Sequence, residues 1–158
     1  MDPHHVVHDS SELLSPSLLI YPQLVRRNVK EMIALAGGAA RLRPHIKTHK
    51  MAEIVRLVES LGIRKHKCAT IAEAEMAAAA GATDVLLAYP LIGPNVKRFV
   101  QLARAYRATT FRATVDHPDS ARALSAAAEG LVAPIPVLVD LEIGMGRTGI
   151  QPDRKSVV

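Results

Sequence analysis

The chain has 158 residues, of which 49% are hydrophobic and 22% are charged, and this is enough for one globular domain with a buried core. A single cysteine, Cys68, excludes an internal disulfide and is typical of a reducing compartment. The sequence has no run of transmembrane length and no signal-peptide pattern at its start. We therefore expect a cytoplasmic protein without a membrane partner.

The positive charge of the chain is concentrated in one region. The net charge is +5, and residues 41–67 hold eight Lys and Arg residues against two Glu residues. Such a region could attract nucleic acid or a small phosphorylated ligand. Nucleic acid is the weaker candidate, because no nucleic-acid-binding motif or aromatic platform accompanies the charge. A basic α/β domain that binds an acidic partner stays open as an alternative.

The predicted elements begin after a polar, aperiodic amino terminus, residues 1–14, which we expect to be disordered. A short strand is predicted at 17–21, and an amphipathic helix runs from Gln23 to the pair Gly37-Gly38. Strands and helices then alternate. The predicted strands lie near 42–47, 65–69, 84–89, 110–116 and 136–142, and the predicted helices near 51–61, 71–80, 94–106 and 118–130. Thr70 and Glu73 have the spacing of a capping box at the start of one helix.

Alternating strands and helices with short loops predict right-handed βαβ units and a parallel sheet. A five-stranded doubly wound sheet and part of an eight-stranded (β/α) barrel both fit this pattern. The predicted strands carry polar residues on one face, including Arg112 and Thr114 on one strand and Asp140 and Glu142 on another, and this favours the mouth of a barrel. We therefore predict a partial (β/α)8 TIM-like barrel over residues 15–152, with about five parallel strands present and an open sheet edge.

The last six residues, 153–158, resemble one reading frame of a common sequencing adapter. We expect them to be a non-native tail, the alternative being an ordinary polar terminus. This expectation agrees with the barrel prediction, since a complete barrel needs about 250 residues.

The segment Arg43-Pro44-His45-Ile46-Lys47-Thr48-His49-Lys50 is the most informative motif. On a strand, Arg43, His45 and Lys47 would share one face, because alternate side chains point the same way. A lysine that is desolvated beside other cations is a neutral, nucleophilic amine more of the time. Lys47 is therefore a candidate for Schiff-base formation, and a solvated basic edge strand is the alternative.

A second motif, Gly144-Met145-Gly146-Arg147-Thr148-Gly149, follows the last predicted strand. Its spacing matches neither a dinucleotide-binding fingerprint nor a P-loop. Arg147 could hold an anionic oxygen over the barrel mouth, or it could be a solvated arginine in a glycine-rich turn. For Asp140 and Glu142 we predict an ion pair with Arg43, Arg112 or Arg147 inside the barrel.

Together these motifs, with Cys68-Ala69-Thr70-Ile71-Ala72-Glu73-Ala74-Glu75 and Leu86-Leu87-Ala88-Tyr89-Pro90, resemble one family. It is the D-threonine aldolase and eukaryotic-type D-serine dehydratase group, pyridoxal-phosphate enzymes of fold type III with an alanine-racemase-like barrel. The resemblance extends from about residue 15 to residue 150 and implies the amino-terminal part of a lyase.

The resemblance implies roles for particular residues. Lys47 would be the catalytic residue that binds pyridoxal 5'-phosphate covalently, and Arg147 would lie near the phenolic oxygen of the cofactor. His45 and Tyr89 are further candidate cofactor-binding residues, although Tyr89 could equally be a packed rim residue.

The implied reaction is the cleavage of a D-β-hydroxy amino acid to glycine and an aldehyde. D-serine dehydration, racemisation or non-catalytic pyridoxal-phosphate binding on the same fold are the alternatives. A divalent metal, Zn or Mn, is expected in the full-length protein, with its ligands outside this chain. We accordingly predict no metal site here, a core position for Cys68 and partial solvation for His66. The resemblance also implies a homodimer for the full-length protein and little or no activity for this piece alone.

Overall fold

The computed structural model describes residues 7 and 9–152, and within them a parallel four-stranded sheet has the order β1-β2-β3-β4. The strands are β1 (Lys65–Cys68), β2 (Asp84–Leu87), β3 (Thr110–Val115) and β4 (Val137–Val139). The helices are α1 (Pro22–Ala36), α2 (Ala52–Ser60), α3 (Ile71–Ala79), α4 (Pro94–Ala105) and α5 (Pro118–Ala127). This arrangement confirms the predicted partial α/β barrel. None of the helices in the described residues is long and apolar enough to cross a bilayer.

Local sequence signals explain where several helices begin and end. Thr70 caps α3, since its Oγ1 accepts a hydrogen bond from the Glu73 N–H at 3.1 Å. Glu73 reaches back to accept from the Ala69 N–H at 2.8 Å, one residue further upstream than in the usual capping box. Helix α1 ends at Gly37, whose φ of 73° lies in the left-handed region that favours glycine.

One face of the sheet packs against the helices and forms the main core. Alternate strand residues point to it, so Cys68, Val85, Leu87, Phe111 and Ala113 are all buried. Phe99 of α4 meets Phe111 edge to face, with ring centroids 5.9 Å apart. A second, smaller cluster of buried residues joins α1 and α2; it consists of Val29, Ile54, Val58 and Ile63.

The opposite face of the sheet, called the open face below, carries Lys65, Lys67, Asp84, Arg112 and Thr114. At its amino-terminal end, Asp84 binds two arginines. Arg43 Nη1 lies 2.6 Å from Asp84 Oδ1, and Arg112 Nε lies 3.0 Å from Asp84 Oδ2. Burial by itself would raise the pKa of Asp84, but hydrogen bonds from Arg43 and Arg112 outweigh it and hold that pKa below its usual value.

The ion pairs predicted for Asp140 and Glu142 are therefore wrong. Arg43 and Arg112 pair with Asp84 instead, and Glu142 accepts hydrogen bonds from the backbone of its own loop. Register explains the outcome, because Asp84 stands two residues before Leu86, the β2 partner of Arg112, on the same face of the sheet.

The strand predicted at 42–47 is reduced to a single bridge. His45 pairs with Lys67, and the Pro44 carbonyl accepts from the Lys67 N–H at 2.9 Å. Residues Ile46–Thr48 form a 3₁₀ turn. Pro44 has no N–H to donate to a ladder, which limits strand pairing here. The sheet thus has four strands plus a bridge where about five strands were expected.

Two further expectations concern the chain ends. Residues 17–21 form no strand. The predicted disordered terminus, 1–14, lies partly outside the described residues, and the suspected tail, 153–158, lies wholly outside them.

Candidate functional site

Lys47 lies just past the carboxyl end of the first, bridge-forming segment. It sits in the 3₁₀ turn that follows the bridge between His45 and Lys67, and its side chain is exposed. Within the described residues, its amine forms no ion pair. The carboxyl edge of a barrel sheet is where such folds place their active sites.

The turn around Lys47 is built from its own motif. His45 Nδ1 accepts from the Lys47 N–H at 3.3 Å, and His49 Nδ1 accepts from the Met51 N–H at 3.1 Å. Lys50 has a φ of 50°, which is rare for a residue with a side chain. These contacts shape the turn that contains Lys47, and none of them involves its side-chain amine.

Lys50, three residues further on, differs from Lys47 in having a partner. Its Nζ lies 3.7 Å from Oε1 of Glu73, whose side chain is only 5% exposed. Neither lysine lies on a strand, so the alternation of strand faces does not distinguish them. The two lysines differ in ion pairing, because Lys50 is paired with Glu73 and Lys47 has no acidic partner among the described residues.

The desolvation argument for Lys47 does not hold in this structure, because the side chain is exposed. The other cations predicted near Lys47 are present, however, and they act on His45. Burial lowers the pKa of His45, and the charges of Lys47 and then Lys67 lower it further. His45 is therefore a more neutral imidazole than a free histidine, next to an amine that retains its access to solvent.

The second motif folds around a carboxylate. Glu142 Oε1 accepts from the N–H groups of Gly144 and Gly146, at 2.7 and 2.8 Å. These two hydrogen bonds, that of Gly146 first, lower the pKa of Glu142. Arg147 follows directly; its side chain is exposed and makes no ion pair within the described residues.

Tyr89 lies at the carboxyl end of β2 and is 53% exposed. It lines a cavity of about 550 Å³ together with Thr70, Leu87 and Arg98. His45, Lys47 and Arg147 do not line this cavity. The structure therefore brings His45 and Lys47 into one turn and does not join Tyr89 or Arg147 to them in one enclosed pocket.

The structure contradicts the partial solvation predicted for His66. It is buried, at 1% exposure, and its Nε2 lies 2.9 Å from Glu59 Oε1, whose Oε2 accepts from Arg64 at 2.6 Å. His66 shares the covered face with Cys68, so strand alternation could have predicted its burial. Cys68 is in the core as expected, and burial raises the pKa of its thiol to about 12.

The described residues hold no group of three His, Cys, Asp or Glu side chains close enough to bind a metal ion. They do fit part of a pyridoxal-phosphate site. An unpaired lysine amine suits the aldehyde of that cofactor, and an unpaired arginine suits an anionic oxygen.

Comparison with known sequences gives relatives with D-amino acid chemistry in their names. The chain is 31% identical over 140 residues to a D-threonine aldolase from Arthrobacter sp., covering 88% of this chain and 36% of that protein. It is 32% identical over 146 residues to a 3-hydroxy-D-aspartate aldolase from Paracoccus denitrificans, covering 90% and 37%. A D-threo-3-hydroxyaspartate dehydratase from Delftia sp. (strain HT23) is 27% identical over 140 residues, covering 88% and 36%.

Solved structures agree in fold. The crystal structure of D-threonine aldolase from Filomicrobium marinum superposes with a TM-score of 0.80 at 32% identity, covering 89% of this chain and 38% of that one. The chain therefore spans little more than a third of the length of these relatives. The family model for the alanine racemase N-terminal domain matches residues 20–157, so the chain belongs to the alanine racemase N-terminal domain family.

Proposed function

We propose that this chain is the amino-terminal, cofactor-anchoring part of a pyridoxal-phosphate-dependent lyase that cleaves D-β-hydroxy amino acids to glycine and an aldehyde. The observation that carries the proposal is Lys47. Its amine is exposed and unpaired within the described residues, at the carboxyl edge of a barrel sheet, in the motif that resembles the aldolase group. The names of the aldolase relatives support the substrate class.

Three residues of this chain would each have one role at the bound cofactor. Lys47 would bind the cofactor through a bond between its nitrogen and the aldehyde carbon, with the aldehyde oxygen leaving as water. Once the substrate amine has replaced it, the freed Lys47 amine would be able to accept a proton. Arg147 would donate hydrogen bonds to an anionic oxygen. His45, held largely neutral, would accept a hydrogen bond from the turn and keep Lys47 oriented. When bound, pyridoxal phosphate supplies the electron sink for the bond that breaks at the substrate Cα.

Dehydration is the second candidate, favoured by the dehydratase among the relatives. The same lysine anchor serves both reactions, and the difference lies in whether a Cα–Cβ or a Cα–H bond breaks first. We also propose that the full-length protein uses a divalent metal ion, which binds the hydroxyl group of the substrate. No step here depends on it, since the described residues offer no cluster that fits a metal.

The anchor can be tested on this chain directly. Purified protein would be incubated with pyridoxal phosphate, reduced with borohydride and mapped by peptide mass spectrometry. We expect the label on Lys47, with a visible absorption band before reduction that Lys47→Ala abolishes. Lys50 is the matched internal control, because it lies three residues away and is engaged by Glu73.

Two results would contradict the proposal. One is a label spread evenly over the lysines of the basic region, including Lys65 and Lys67. The other is a visible band that survives Lys47→Ala. Assaying the full-length protein with D-threonine then separates the reactions, because an aldolase yields glycine and a dehydratase yields a keto acid.

A further inference from the structure

The loop that carries Arg147 is closed by an unusual set of contacts to one side chain. Oε1 of Glu142 lies within hydrogen-bond distance of two backbone N–H groups, 2.7 Å from that of Gly144 and 2.8 Å from that of Gly146. Backbone N–H groups from nearby residues that converge on one point form a concavity that binds anions. Here the anion in the concavity is the chain's own carboxylate.

The two ends of the loop are hydrogen-bonded to each other, and the loop is tied to the end of β3. The Glu142 N–H donates to the Ile150 carbonyl at 3.0 Å, and the Ile150 N–H donates to the Asp140 carbonyl at 2.9 Å. The Gly149 N–H donates to Asp116 Oδ2 at 3.3 Å, which ties the loop to the residue that follows β3.

Gly149 lies close to the backbone of Leu141 and Glu142, where the loop closes. Its φ is 102°, and a Cβ built at this position would lie 2.5 Å from the Glu142 nitrogen. Glycine is therefore required there by both the backbone conformation and the space. Residues 142–150 form a small, pre-shaped unit from which Arg147 projects with no other partner in the described residues.

From this geometry we infer that Glu142 is a positioning residue for Arg147, acting as the internal anion around which residues 144–149 fold. The inference rests on the proposed function, in which Arg147 contacts the bound cofactor. It assigns Glu142 a role in cofactor affinity rather than in acid–base chemistry, since its carboxylate is already occupied by its own loop.

The first test needs no cofactor. Amide hydrogen exchange of Gly144 and Gly146, followed by NMR, should be slow in the parent chain and about tenfold faster in Glu142→Ala, the change expected for the loss of one charged hydrogen bond. Glu142→Gln should restore part of the protection, because its amide oxygen still accepts. Glu75→Ala, which removes an exposed acid from α3, is the matched control and should leave exchange unchanged.

The second test measures affinity for pyridoxal phosphate at Lys47. Glu142→Ala should weaken binding by about tenfold, because a loosened Arg147 must be ordered on binding, and Glu142→Gln should recover part of the loss. Adding Glu142→Ala to Arg147→Ala should cause no further loss, since coupled residues are non-additive. A merely structural role would predict an additional loss in the double variant.

The outcomes separate the inference from the proposed function. If the parent chain does not bind pyridoxal phosphate at Lys47, the proposed function fails and the role of Glu142 in affinity fails with it. If the parent chain binds but Glu142→Ala binds equally well, only the inference is overturned. Unchanged exchange of Gly144 and Gly146 in Glu142→Ala also overturns it.

Discussion

The two faces of the sheet differ in how they accommodate charge. On the covered face, the described strand residues are apolar except His66, which contacts the buried carboxylate of Glu59 at 2.9 Å. On the open face, cations outnumber acids, and Asp84 is shared by two arginines. The covered face is thus mainly apolar, and its one polar strand residue bonds Glu59 through Nε2 while its buried Nδ1 has no hydrogen-bond partner among the described residues.

The difference indicates where stability and function reside in this chain. Burial of apolar side chains on the covered face supplies the stabilising free energy. Lys47, in the turn beyond the sheet, has no acidic partner among the described residues, whereas Lys50 pairs with Glu73 of α3. Substitutions on the two faces should therefore have different consequences for unfolding and for ligand binding.

The largest effect is expected for two leucines that differ in burial, one on the central strand β2 and one on the edge strand β4. Leu87 is 2% exposed on the covered face, and Leu138 is 41% exposed on the open face. Leu87→Ala should lower the free energy of unfolding by about 2–4 kcal/mol, because it leaves a cavity. Leu138→Ala should cost about 1 kcal/mol or less. Urea unfolding measures both, and equal losses would contradict the assignment of Leu87 to the packed core and of Leu138 to the surface.

The second-largest effect on stability is expected at Asp84, the carboxylate of the open face that pairs with two arginines. Asp84→Asn should lower the free energy of unfolding by about 1–3 kcal/mol at neutral pH, between the values for exposed and fully buried pairs. Asp119→Asn, which affects an exposed pair with Arg122 on α5, is the matched control and should cost less.

The contribution of Asp84 should also depend on pH in a defined direction. Its pKa in the folded chain lies below the ordinary value, so the stabilisation is present above about pH 3.9, the pKa of an unfolded aspartate. It is lost as the pH falls through the folded value. The difference between the parent chain and Asp84→Asn should shrink over that range, and a difference that stays constant in acid would contradict the assigned ion pairs.

The helices and the last four strands could be predicted from the sequence because their signals are local. The spacing of Thr70 and Glu73 predicts a helix start, and the observed hydrogen bonds confirm it. The strand predicted at 42–47 did not form. Its alternating pattern of Arg43, His45 and Lys47 suggested a strand, but Pro44 limits its pairing and the His45 side chain caps the 3₁₀ turn that follows.

The partners of charged side chains could not be predicted either. Asp84 is 41 residues from Arg43 and 28 from Arg112 along the chain, and strand register brings them together. Glu142 was expected to pair with Arg43, Arg112 or Arg147, yet backbone N–H groups two and four residues away occupy it. Nearby donors require little chain ordering, and this favours them over distant partners.

The smallest expected effect on stability tests why Lys47 and Lys50 differ. Glu73→Gln keeps an oxygen that can accept from the Ala69 N–H, and it removes the charge that pairs with Lys50. The free energy of unfolding should fall by about 0.5–1 kcal/mol. Reductive labelling with pyridoxal phosphate should change more visibly, because Lys50 becomes available beside Lys47. Glu53→Gln, which affects an exposed pair with Arg56 on α2, should change neither quantity appreciably. If Lys50 stays unlabelled in Glu73→Gln, ion pairing is not what distinguishes the two lysines, and the geometry of the turn around Lys47 must select it instead.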